Sequence, residues 1–429
     1  MEYFREELFP CVSLTALQTD KFKTGCLTAY LLTQLRRETA AENAVLPYVL
    51  RSGTASLPDM RSISEKLGAL YGASVDPSVR KLGEIQALGF VASFAQDECL
   101  PGETDVLGEI VSLLGELWLR PARRGGLFLP AHVDSEREKL VERIERAKND
   151  KRGWAVRRLR ENMCAYEDYA VGAYGTADEA ENIHYVKLSK HYKELLAASP
   201  MEFFYCGSRP GAEVAALLRE AFALLPRAEI DLNLGTDIRM NAVEETPRYF
   251  TEEDAVTQGV LAMGFRLGAC MEDPDEAAIE VFNAVYGGGI ASKLFKNVRE
   301  KRSLCYYAFS AADSLKGVLT VLSGVAFDKY DEAQKEILAQ LDAIRNGDIS
   351  EEELDAARRS VANEHRTGTD SPYYLADFHL RETVQGADAS PDDLAALAEC
   401  VTAEEVAAIA RGVELDAVYF LRGEEDDAG

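Results

Sequence analysis

Along residues 26–35 (CLTAYLLTQL) apolar positions alternate as they do on a half-buried strand. A similar stretch returns at residues 260–267 (VLAMGFRL), and the recurrence is general. Gly25 and Gly259, Gly53 and Gly287, and Gly83 and Gly317 each stand 234 positions apart. The same ungapped register sets Val45 on Ile279, Tyr48 on Phe282, Leu70 on Leu304 and Val91 on Val325. Late in each copy the offset falls to 216, where Gly207 of FFYCGS meets Gly423 of VYFLRG. The first copy therefore carries about 18 extra residues, placed within 120–175. A period of roughly 200 residues is that of a duplicated domain and not of a solenoid repeat.

Each copy predicts one order of elements. After the opening strand, an amphipathic helix runs into a glycine turn, and a second helix follows; in the first copy it starts near Ser62 with a capping box to Glu65. Paired strands come next (75–81 with 85–94; 306–311 with 318–325), then helices (104–119; 328–346 and 350–366, the last capped by Ser350 and Glu353). A short strand closes each copy (202–206; 417–421). Strands joined by tight turns with separate helical runs imply an α+β chain of two tandem domains, each a mainly antiparallel sheet packed with helices. The seam is the polar, proline-bracketed stretch 226–247, which gives domains at 1–228 and 248–429 and a linker at 229–247.

Composition adds exclusions. With 47% hydrophobic residues the chain can bury sizeable cores, and a net charge of −26 disfavours both nucleic acid and anionic membranes. Only Glu424–Asp427 form a true acidic block. Eight cysteines are scattered without a C-x-x-C pair, and no signal peptide and no apolar run of 18 residues is present, which fits a reducing cytoplasm. No cofactor is expected.

Residues 287–306 (GGGIASKLFKNVREKRSLCY) carry the chemistry. The run is similar to a signature in the C-terminal half of insulinase/pitrilysin-type zinc peptidases, where Arg and a Tyr seven residues later (here Arg299 and Tyr306) hydrogen-bond substrate carbonyls beside the zinc. On one continuous helix that spacing would point both side chains the same way. Weaker matches, LRSGTASLP and LGALYGASV, follow in order in the N-terminal half. The family places an inverted H-x-x-E-H motif just before the turn that is Ser52-Gly53-Thr54 here. This chain has five histidines (His132, His184, His191, His365, His379), and no two have three residues between them.

By that resemblance the two histidine positions are Ala44 and Tyr48, the glutamate position is Pro47, and the third ligand falls at Arg143 or its neighbour Glu142. Hydrolytic zinc needs three donors, an open position for water and a carboxylate base. Ala44 has no donor, Pro47 accepts no proton, Tyr48 is a poor ligand at neutral pH and Arg143 is a cation. The resemblance, narrowest to the YmfF-like branch of inactive bacterial homologues through DKRGWAVRRLRENMCAYEDYAVGAYG, implies a non-catalytic subunit. Such a subunit would bind peptide and lend Arg299 and Tyr306 to the zinc of a related partner in a heterodimer, or pair with itself. The branch also brings an association with elongation factor P modification. The competing reading is a non-proteolytic structural or peptide-binding scaffold.

Other candidates are weaker. Glu181 and His184 have metal-like spacing without a second pair, Glu364-His365 lacks the preceding histidine, and Cys305 has no histidine near in sequence. Gly287–Gly289 lacks the G-x-x-x-x-G-K-[ST] pattern of a phosphate loop. The basic run 120–126 (RPARRGG) contacts nothing the sequence identifies.

Overall fold

The computed structural model of the protein describes residues 3–102, 104–268 and 273–423, so the acidic run at the C-terminus and Cys270 lie outside the described residues. In chain order, β1 (Tyr3–Phe9), β2 (Val12–Gln18) and β3 (Thr24–Gln34) lead to α1 (Arg37–Arg51) and α2 (Met60–Ala69). Next come β4 (Ser74–Leu82), β5 (Ile85–Ala95), α3 (Val106–Leu119), the short ribbon β6 (Arg123–Arg124) and β7 (Leu127–Phe128), and α4 (Pro130–Arg146). The first half continues with α5 (Lys151–Met163), α6 (Ala177–Glu181), α7 (Tyr185–Ala198), β8 (Met201–Gly207) and α8 (Gly211–Ala221). The second half has β9 (Arg248–Asp254), β10 (Gly259–Arg266), α9 (Asp273–Tyr286), β11 (Cys305–Asp313), β12 (Val318–Val325), α10 (Tyr330–Arg345) and α11 (Glu351–Gly368). It ends with α12 (Pro372–Gln385), α13 (Pro391–Cys400), α14 (Ala403–Gly412) and β13 (Glu414–Gly423).

Two compact units result. The first comprises Met1–Glu145, Val171–Gly235 and Asp370–Val384, and its sheet has the order β1-β2-β8-β3-β5-β4. The second comprises Arg146–Ala170, Thr236–Thr369 and Gln385–Gly429, with the order β11-β12-β10-β13-β9. The sheets share one plan. β3 runs antiparallel to β5 and β8 while β8 runs parallel to β2, and β10 runs antiparallel to β12 and β13 while β13 runs parallel to β9. The mixed α+β class expected from the sequence is the architecture observed.

Residues 146–170 belong to the second unit and 370–384 to the first, and the reason is apolar burial. The strand β10 is buried along its whole length. One face meets α9 in a core with Phe265, Phe282 and Val298, and the other meets α5 through Ala155, Leu159 and Met163. α5 lies so close that a Cβ on Gly264 would stand 2.4 Å from the Met163 sulfur, so any larger residue there would have to displace the Met163 side chain. In the first unit β3 is covered by α1 and α3 on one face. On the other it is covered by α12, through Leu375, Ala376 and Leu380.

Caps refine the helix starts. α11 carries the expected box, with Ser350 Oγ accepting from the Glu353 amide at 3.2 Å and Glu353 Oε2 accepting from the Ser350 amide at 3.0 Å. The box expected between Ser62 and Glu65 is displaced: Asp59 caps α2 by accepting from the Ser62 amide at 2.8 Å, and Glu65 instead pairs with Arg61 at 2.8 Å. Aspartate caps as well as serine, and Ser62 sits three positions inside the helix.

A buried ionic cluster anchors the segment after α5. Arg266 donates to Asp416 at 2.8 Å and to Glu167 at 2.6 Å, and Lys316 reaches Glu167 at 2.8 Å. The side chains of Arg266 and Lys316 are both 0% exposed. Burial pushes the Glu167 carboxyl up, but Arg266 and Lys316 more than offset this and hold it below the ordinary range. Its contribution is therefore complete above the usual glutamate value of about 4.3 and is lost as pH falls through the lower folded value. Glu167→Ala, which removes the carboxylate shared by two buried cations, is expected to lower the unfolding free energy by about 3–5 kcal/mol at pH 7. In urea titrations the gap between wild type and variant should narrow below about pH 4.

Candidate functional site

α1 forms around Pro47, which removes one helical hydrogen bond. Burial holds the helix: Ala41, Ala44, Val45, Leu46, Val49 and Leu50 all enter the core under the first sheet. Ala44 is 0% exposed and presents only a methyl group. Tyr48 is half-buried and turns toward α4, where the Arg143 guanidinium lies 4.3 Å from its ring centroid. The same guanidinium lies 5.4 Å from the ring of Tyr174. The fold thus brings Tyr48 and Arg143 together, leaves Ala44 in the apolar core, and makes Arg143 rather than the exposed Glu142 the α4 residue that meets α1.

These residues do not fit zinc. Burial first, then the neighbouring Tyr174 hydroxyl, pushes the Tyr48 phenol up to about 12, so it stays neutral and protonated near pH 7. A guanidinium on the tyrosine face places positive charge where a cation would have to enter. Among the described residues no group of three or more His, Cys, Asp or Glu side chains could hold a metal ion. His184 caps α7, its Nδ1 facing the Val186 amide at 3.4 Å, and His365 pairs with Glu280 at 2.7 Å. The Cys305 thiol is pushed up by burial, which disfavours a thiolate nucleophile.

A polar network behind α1 was not legible in the sequence. Asn43 Nδ2 donates to Gln86 Oε1 at 2.8 Å, and Asn43 Oδ1 accepts from His191 Nε2 at 2.6 Å. Gln86 Nε2 donates to the carbonyls of Ala40 at 3.0 Å and Ala173 at 2.7 Å. Asn43 and Gln86 are both 0% exposed. The network fixes α1, which carries Tyr48, and the residue before Tyr174 to one point on β5.

In the second unit the glycine turn after α9 leads to a π-helical stretch, Leu294–Lys301, carrying Arg299. The stretch ends before Ser303, whose φ of +52° reverses the chain into β11. Tyr306 is therefore on a strand and not on the helix of Arg299, which corrects the reading of the seven-residue spacing as two turns of one helix. The two residues still line one cavity of about 420 Å³, with Glu300, Ser303, Leu304 and Lys329. A β-bulge delivers Tyr306: Cys305 pairs with Val325 and Tyr307 with Gly324, so Tyr306 is the extra residue and stands 69% exposed. Arg299 lies 4.6 Å over the Phe295 ring and 3.5 Å from Glu300, and it also lines a second cavity of about 390 Å³ with Phe295, Tyr307 and Phe309. Arg152 of α5 stacks 4.0 Å over the Tyr307 ring, which no motif foretold.

Comparison with known proteins agrees with this geometry. A family model described as the peptidase M16 inactive domain matches residues 182–361. The chain is 32% identical to the probable inactive metalloprotease YmfF of Bacillus subtilis over 99% of both chains. It therefore belongs to the M16 peptidase family, the insulinase/pitrilysin type expected from residues 287–306, and it is an inactive homologue within it. Among solved structures, a conserved protein from Enterococcus faecalis superposes with a TM-score of 0.89 at 27% identity, covering 99% of each chain. A peptidase M16 inactive domain from Pseudomonas fluorescens does so with a TM-score of 0.80 at 17% identity, covering 99% of this chain and 98% of that one.

Metal content distinguishes these residues from a zinc site. The purified chain should carry no stoichiometric zinc by mass spectrometry after equilibration with the metal. A variant combining Ala44→His, Pro47→Glu, Tyr48→His and Arg143→Glu should acquire chelator-sensitive zinc, because it supplies three donors on the two helices.

Proposed function

We propose that this protein is the non-catalytic subunit of a two-chain M16 peptidase, binding peptide and lending Arg299 and Tyr306 to the zinc site of a related partner. The observation that carries the reading is the asymmetry between the two units. The α1–α4 positions are unfit for metal, while Arg299 and Tyr306 converge on one solvent-open cavity. Arg offers a fixed fork of donors and Tyr a single O–H, the chemistry needed to hold a peptide carbonyl as negative charge develops on it. The shared strand plan of the two sheets supports a tandem duplication in which one copy lost its metal motif.

Peptide would bind by strand addition at a sheet edge. β4 and β11 each end a sheet, but β4 contains Pro77, which withholds an amide donor, whereas β11 contains no proline. The edge strand β11 also carries Tyr306, in the bulge at its N-terminal end. No helix among the described residues is long and apolar enough to cross a membrane. The link to elongation factor P rests on the resemblance alone, and that protein is one substrate to include in the assay.

The test pairs the chain with an M16 relative that carries H-x-x-E-H. The pair is expected to cleave peptides that neither chain cleaves alone. Arg299→Ala or Tyr306→Phe in this chain should then lower turnover by about 10²–10³-fold without dissociating the complex. Chelator-sensitive cleavage by the lone chain would refute the proposal. Full activity of both variants would favour a purely structural scaffold.

A further inference from the structure

The misfit between the α1–α4 residues and a metal points to another use of the same place. The Arg143 guanidinium lies against the rings of Tyr48 and Tyr174, at 4.3 Å and 5.4 Å. No carboxylate or carbonyl among the described residues accepts a hydrogen bond from it. Stacking occupies the flat faces of a guanidinium and leaves its N–H edge open, the edge that takes a carboxylate in two parallel hydrogen bonds. Half-burial strengthens such a bond relative to one formed in water.

The rings are held before any ligand arrives. Gln86 ties Ala40 of α1 and Ala173, the neighbour of Tyr174, to β5 at 3.0 Å and 2.7 Å. Asn43 is clamped between Gln86 and His191. A site pinned on both sides loses little ordering entropy on binding. The nearby acids already have cations: Glu136, two helical turns before Arg143, pairs with Lys139 at 2.6 Å, and Glu42 pairs with Lys187 at 2.6 Å. Arg143 is thus the charge left over.

We propose that Tyr48, Arg143 and Tyr174 form a carboxylate-binding site, the lost metal centre turned into an anion receptor. The site rests on the peptide-binding reading above. The carboxylate belongs to a peptide, the ligand of the reading above, and not to a small free anion, which a net charge of −26 repels. It is either the peptide's C-terminus or an Asp or Glu side chain.

The full chain would be titrated by calorimetry with three peptides. These are acetyl-Ala-Phe-Ala-Ala with a free C-terminus, the same peptide as its amide, and the amide with Asp in the last position. One or both of the charged peptides should bind at least about tenfold more tightly than the neutral amide. Whichever of the two is tighter identifies the source of the carboxylate. The preference should disappear in Arg143→Met and survive in part in Arg143→Lys, which keeps the charge but loses the fork. Thermal unfolding follows whether each variant folds, and the lysine variant serves if the methionine one does not. Equal binding of all three peptides would overturn the carboxylate site while leaving peptide binding intact. Binding of none would overturn the carboxylate site, while the cleavage assay of the two-chain complex decides the peptide-binding reading by itself. A preference unchanged in Arg143→Met would also refute the site.

Discussion

Strands β3 and β10 are apolar on both faces, and neither face can be left to water. Each sheet accordingly needs helices on both sides, and the local chain supplies only one layer. The missing layer comes from the other half of the sequence: α5 covers β10, and α12 covers β3 and β8. Gly264 beneath Met163 and the Glu167–Arg266–Lys316–Asp416 cluster are consequences of that demand. The first allows close approach, and the second neutralises charge that the approach takes out of water.

The same layering positions the two halves of the candidate chemistry. In the first unit, α1 is locked against β5 through Asn43 and Gln86, so the Tyr48 ring has little freedom to leave Arg143. In the second unit, the π-helical stretch and the bulge at Tyr306 are local departures from regular geometry. Such departures re-aim side chains that a regular helix or strand would direct elsewhere. The first unit thus presents a cation–aromatic cluster at Tyr48, Arg143 and Tyr174, and the second a cavity lined by Arg299 and Tyr306.

At the α1–α4 positions a methyl group joins the core at Ala44, and the Arg143 guanidinium lies over the Tyr48 ring with its N–H edge left open.

Much of this was legible in the chain. Apolar patterning placed β3, β5, β10 and β12 within a few residues, but β3 and β10 are buried on both faces and not on the single face that alternation implies. Among the repeated glycines, Gly83 and Gly317 marked the turns between paired strands, where a positive φ favours glycine, and the absence of paired histidines excluded an H-x-x-E-H motif. The sequence by itself determined the family, the α+β class and the absence of an H-x-x-E-H motif, and it singled out Arg299, Tyr306, Tyr48 and Arg143 as candidates. It did not show that α5 and α12 cross to the other unit, since an amphipathic helix reveals that it must be covered but not by what. Nor did it show that Tyr306 leaves the helix, that Arg152 stacks on Tyr307, or that Asn43, Gln86 and His191 form one network. Those depend on contacts between residues up to about 150 positions apart. Only the packed structure decides such distances, because the hydrophobic pattern specifies which face is buried and not which partner buries it.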